Sequence, residues 1–112
     1  MLRRATAAGI AASRPGDPVG GVDDATRAVI GDAGLAAAIL HRTGHGIGLD
    51  VIEAPAVSTE NRAPIAAGML FSVEPGLYFP GEFGLRLEET VHAGEAGPEV
   101  LTGVERELAV LA

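Results

Sequence analysis

The punctuation of this chain changes at Gly34, and that change limits what the chain can build. Before it, alanine-rich stretches carry apolar residues at helical spacing; after it, apolar runs are short and broken by Gly or Pro. Leu2 to Ala12 reads as a helix, stopped by the breaker Arg14-Pro15-Gly16-Asp17-Pro18. A second helix is expected from about Val22 to Ala33. Val22, Ala25, Val29 and Ile30 recur there at helical spacing, Asp23 and Asp24 fall in the first turn where the helix dipole favours carboxylates, and Gly34 supplies the stop. Strands are expected over Ile47 to Ile52, Met69 to Glu74, Gly76 to Phe79, Leu85 to His92 and around Leu108 to Leu111, with a turn from Gly94 to Pro98. Helices first and antiparallel strands after is an α+β pattern. No repeat or low-complexity linker divides it, so residues 1-112 are expected to form a single domain.

Length and charge exclude several classes of function. A chain of 112 residues buries roughly two-thirds of its unfolded surface, enough for one core. The net charge of -7, with Arg as the only basic residue besides His, argues against a nucleic-acid partner, which would want a basic face. The sequence has no Cys, so neither a disulfide framework nor a thiolate metal site can form, and a cytoplasmic setting is expected. The longest apolar runs, such as Leu35 to Leu40, fall far short of the roughly 20 residues a bilayer requires, and no membrane partner is expected. Met1-Leu-Arg-Arg opens with two positive charges, but no convincing signal-peptide core follows.

The chemistry lies in three glycine- or strand-rich segments: His41-Arg-Thr-Gly-His45-Gly-Ile-Gly48, Ser72-Val-Glu74-Pro-Gly76 and Leu85-Arg86-Leu-Glu88-Glu89. His45 is flanked by Gly44, Gly46 and Gly48, which let the backbone approach a ligand and leave the ring uncovered. Glu74 precedes Pro75-Gly76, so a strand ending in a carboxylate is turned sharply. Glu88 alternates with Leu85 and Leu87 and shares a face with Arg86. Each has an ordinary reading: a satisfied turn histidine, a solvated strand end, a cross-strand salt-bridge ladder. Together, one imidazole and two carboxylates are a donor set for borderline-hard divalent ions such as Mn, Co, Fe or Zn. His92 reads as a surface residue.

From about Arg14 to Leu101 the chain resembles the C-terminal half of the pita-bread metallopeptidases: prolidase, Xaa-Pro aminopeptidase, methionine aminopeptidase and the non-peptidase relative creatinase. The resemblance rests on His41-Arg-Thr-Gly-His-Gly-Ile-Gly-Leu-Asp50, Gly68-Met-Leu-Phe-Ser-Val-Glu-Pro-Gly-Leu-Tyr78 and Gly84-Leu-Arg-Leu-Glu88, in that order and spacing, and is nearest the Xaa-Pro branch. It implies a partial pita-bread (creatinase/aminopeptidase) fold, with two N-terminal helices packed on an antiparallel sheet, and a metal-dependent hydrolase of the Xaa-Pro dipeptidase or aminopeptidase type. In that family two ions, manganese among them, activate a bridging hydroxide. The resemblance implies that His45 and Glu74 are metal ligands and that Glu88 bridges the two ions. It also implies that Arg86 supports Glu88 or relays protons beside it, and that His41 lines the pocket.

The sequence departs from the family pattern twice. The family places two aspartates about eleven residues apart some sixty or more residues before the Gly-His-Gly histidine, whereas only 44 residues precede His45 here. Where the Xaa-Pro enzymes place a substrate-facing histidine, this chain has Ile52 ahead of Glu53-Ala-Pro55. The expectation is a truncated peptidase centre holding one weakly bound divalent ion at most, inactive without a partner that supplies the aspartates. That partner would be a second copy or a complementing N-terminal fragment, covering the sheet edge and apolar face that half a fold exposes. The alternative is a non-catalytic peptide-binding or interaction module of the same fold.

Overall fold

The computed structural model describes residues 1–112. Two helices, α1 (Leu2–Ala11) and α2 (Gly20–Asp32), precede a single turn of 3₁₀ helix at Ala36–Ala38 and seven strands: β1 (Gly44–Gly46), β2 (Glu53–Val57), β3 (Leu70–Val73), β4 (Gly76–Phe79), β5 (Phe83–Arg86), β6 (Glu89–Gly94) and β7 (Gly97–Val100). The α+β expectation and its helix-first order hold. Gly34 adopts φ +74, and the backbone NH groups of Gly34 and Leu35 close onto the carbonyls of Gly31 and Ile30, so α2 ends where the sequence stops it. No helix is long and apolar enough to cross a membrane.

The helices cover one face of the strands, and two apolar clusters form there. Val19 and Val22 meet Val57, Ile65, Phe71, Val73, Val91 and Ala93 in the first; Leu2, Ala5 and Ile30 meet Ala38 and Leu77 in the second. Phe71 is fully buried, and burying such a side chain contributes about 2–3 kcal/mol.

Five strands form one sheet in the order β2-β1-β3-β6-β7, and β4 pairs with β5 in a separate two-stranded ribbon. All pairings are antiparallel. The two ladders share a register. Leu70 opposes His92 and Val73 opposes Glu89 in the first, while Gly76 opposes Arg86 and Phe79 opposes Phe83 in the second. The Leu87 amide, donating to the Pro75 carbonyl at 3.3 Å, bridges the interval. The whole is one long hairpin that opens at Glu74-Pro75 opposite Leu87-Glu88. Pro75 has no N–H to give the ladder, which accounts for the opening at that point.

Three sequence expectations for strands are corrected. Ile47 to Ile52 is a succession of bends between β1 and β2, because Glu53 folds back to accept the Asp50 amide at 3.2 Å and the Gly48 amide closes onto the Asp50 carbonyl at 3.1 Å. Leu85 to His92 is two strands, interrupted at the hairpin opening. Leu108 to Leu111 has no regular structure and stays exposed, with no strand beside it; the last strand is β7, which follows the turn at Glu95 and Ala96.

Candidate active site

His45 lies on β1, where the sheet tolerates only glycine beside it. A Cβ on Gly44 would sit 1.9 Å from the Ser72 carbonyl oxygen, so β1 reaches β3 at a distance no other residue allows. The His45 amide donates to Ser72 Oγ at 3.0 Å, and Ser72 Oγ donates to Glu74 Oε1 at 2.7 Å. Ser72 thereby links the histidine strand to the carboxylate strand. His45 Nδ1 lies 2.9 Å from the Gly46 carbonyl, which can only accept, so Nδ1 carries a proton. That tautomer leaves Nε2 facing Glu74 Oε1 at 3.1 Å. Two acceptors that close call for a proton or a cation between or beside them.

Glu74 is 7% exposed, and its second oxygen lies 3.3 Å from Arg86 Nη1. Continuing the hairpin register by one step sets Glu88 opposite Glu74. Arg86 and Glu88 line the same cavity as His45 and Glu74, while Leu87 and Glu89 face α1 and the C-terminal segment. The face shared by Arg86 and Glu88 in the sequence is thus a real face, although Leu85 on the same ribbon is exposed. The cavity measures about 830 Å³, with Ile47, Leu49, Val51 and Ile52 supplying an apolar rim from the bends after β1.

His41 lines this cavity too, anchored at both ring nitrogens. Nδ1 donates to the Arg42 carbonyl at 2.7 Å, and Nε2 lies 2.7 Å from the Tyr78 hydroxyl, with the rings edge to face. His92 stands apart and pairs with Glu99 at 3.0 Å on the β6–β7 hairpin, as a surface residue does.

Of the expected ligands, His45 Nε2 and Glu74 Oε1 lie 3.1 Å apart. His45 sets Nδ1 against a backbone carbonyl and turns Nε2 to a carboxylate. Glu88 lines the same cavity, but no three His, Asp or Glu side chains close into a metal-holding group.

Glu89, next to Glu88, is fully buried. Burial pushes its carboxyl up, but hydrogen bonds from Arg106 and Thr102, with the Arg106 charge, outweigh this and hold it below the usual glutamate range.

Sequence reasoning overlooked Asp23, Arg27 and Ser72. Ser72 carried a signal, standing two residues before Glu74 on a strand and hence on the same face. Asp23 carried none beyond its place in a first helical turn.

The sequence profile of metallopeptidase family M24 matches residues 1–95. The chain is 46% identical over 111 residues to a probable dipeptidase PepE of Mycobacterium bovis, covering 99% of this chain and 30% of that protein. It is 39% identical over 109 residues to an Xaa-Pro dipeptidase of Lactobacillus delbrueckii subsp. lactis, covering 97% and 30% respectively. Among solved structures, dipeptidase PepE from Mycobacterium ulcerans superposes with a TM-score of 0.93 at 48% identity, over 96% of this chain and 29% of that one. The chain therefore spans about 30% of the length of these relatives. Its fold is the corresponding part of theirs, a partial pita-bread fold.

Proposed function

Because the chain belongs to metallopeptidase family M24, we propose that it carries one arm of a metal-dependent peptidase centre of the Xaa-Pro dipeptidase or aminopeptidase type. His45, Glu74 and Glu88 are the ligand arm, and the remaining donors, two aspartates, come from polypeptide outside these residues. The observation that carries this reading is His45 Nε2 held 3.1 Å from Glu74 Oε1 within a cavity that Glu88 also lines. A divalent ion held there would supply Lewis-acid polarisation of a peptide carbonyl. The chain's own side chains do the positioning. Arg86 holds the Glu74 carboxylate and keeps a cation beside it, Ser72 fixes the carboxylate's other oxygen, and His41 with Tyr78 forms a rigid wall. Ile52, 63% exposed on the rim, presents no hydrogen-bond donor to a developing oxyanion; loss of such a donor commonly costs ~100-fold or more.

The test is hydrolysis of Xaa-Pro dipeptides by the purified chain with Mn or Co. The expected rate is no faster than buffer, rising only when an aspartate-bearing N-terminal fragment of a PepE-type relative is added; Ile52→His alone should not rescue it. Metal-dependent turnover by the chain alone, abolished by Glu88→Ala, would overturn this division of the site.

Ile52 and the open donor set also support a second reading, a module that binds peptides without cleaving them. Calorimetric binding of an Xaa-Pro peptide, with no cleavage even in the presence of the added fragment, would decide for it.

A further inference from the structure

We propose that Asp23 is a positioning residue for the cavity, holding the segments on both of its sides through Thr43, Arg27 and the Thr59 amide. Although it belongs to the first turn of α2, its side chain points inward and the residue is 1% exposed. Oδ1 accepts from the Thr43 hydroxyl at 2.6 Å and from Arg27 Nε at 2.8 Å, and Oδ2 accepts from the Thr59 amide at 2.9 Å. Arg27 continues outward, donating from Nη2 to the His41 carbonyl at 3.1 Å.

One carboxylate thus ties α2 to the His41–His45 segment on one side and to the turn after β2 on the other, where Ser58 and Glu60 line the cavity. The tie extends to the acid. The Thr43 carbonyl accepts the Glu74 amide at 2.7 Å, so a continuous path of hydrogen bonds runs from Asp23 through Thr43 to Glu74. A second runs from the His45 amide through Ser72 to the Glu74 carboxylate.

A buried carboxylate is costly unless its lone pairs are filled and a cation is near, and Asp23 meets both conditions with donors drawn from three separate segments. Partners on one element would serve if stability were the only need. Here the segments bound are those that carry His41 and His45 or adjoin the opposite wall. Charge-assisted bonds at these lengths are the stiff ones, so they fix direction as well as distance.

Thr43→Val removes the hydroxyl at nearly constant volume, and Thr43→Ser retains it. Amide NMR of the full chain reads the result residue by residue, independently of any turnover. In Thr43→Val the signals of residues 41 to 46 and of Glu74 should shift or broaden while those of β6 and β7 keep their positions. The Glu74 and His45 amides should exchange with solvent roughly fivefold faster or more, as loss of one hydrogen bond implies. Thr43→Ser should restore the parent pattern. Arg27→Gln changes a side chain 39% exposed and should perturb the His41 segment without unfolding the protein. If Thr43→Val lowers the melting temperature yet leaves the His45 and Glu74 signals and exchange rates at parent values, Asp23 only stabilises the fold and the proposal is wrong. If Thr43→Val does not fold, Arg27→Gln decides, and unchanged signals over residues 41 to 46 overturn it.

Discussion

Gly44 and His45 are neighbours with opposite requirements: the first must have no side chain so that the second can present one. A methyl group on Gly44 would penetrate the Ser72 carbonyl, and backbone cannot swing aside as a flexible side chain can. Gly44→Ala should therefore separate β1 from β3, at a cost of about 2–4 kcal/mol in denaturant unfolding. The same substitution at Gly31, where a Cβ meets nothing within 4 Å, should be neutral or slightly stabilising. Equal midpoints for the two variants would contradict the close approach. The glycines around His45 were visible in the sequence as freedom for the backbone; which of them is obligatory depends on β3, 27 residues away, and no local pattern reports that.

The C-terminal segment after β7 has no regular structure, yet it supplies every polar partner of a buried carboxylate. Thr102 donates to one Glu89 oxygen and Arg106 to the other. Arg106→Met should leave Glu89 with Thr102 alone and destabilise the fold at neutral pH, to an extent moderated by solvent because Arg106 is exposed. The pH dependence follows from the depressed carboxyl of Glu89. Its stabilisation is present above the unfolded glutamate pKa of about 4.3 and is lost as pH falls through the lower folded value. Melting temperatures of the parent and Arg106→Met should thus diverge above about pH 5 and converge toward pH 3; a gap independent of pH would show that packing, not the ion pair, is what the variant loses. The sequence anticipated the helices and the β4 strand, whose Pro and Gly boundaries act locally. It did not anticipate the break at Leu87-Glu88, because that break is caused by Pro75 on the opposite strand. Nor did apolar content near Leu108 make a strand, since no neighbouring edge pairs with it.

Taken as a body, the protein leaves apolar groups uncovered around its cavity and along the β4–β5 ribbon: Leu49, Val51, Ile52, Phe83 and Leu85 are all exposed. Strands β2 and β7 are sheet edges. Such surfaces associate, so sedimentation at increasing concentration should show a rising average mass, and the pair Phe83→Ser with Leu85→Ser should reduce it. A strictly monomeric parent at high concentration would show that the ribbon's exposed apolar groups are too scattered to recruit a partner. The shared register of the long hairpin has a consequence for errors of folding. Glu88 and Glu89 are both glutamates, so a slip of one position would still deliver a carboxylate to the cavity, and chemistry alone would not reject the mistake. What rejects it is the company each keeps, for the slip would put Leu87 where Arg86 meets Glu74 and strand Arg106 without its buried acid. The two arginines act as proofreaders of alignment, one on each face of the strand.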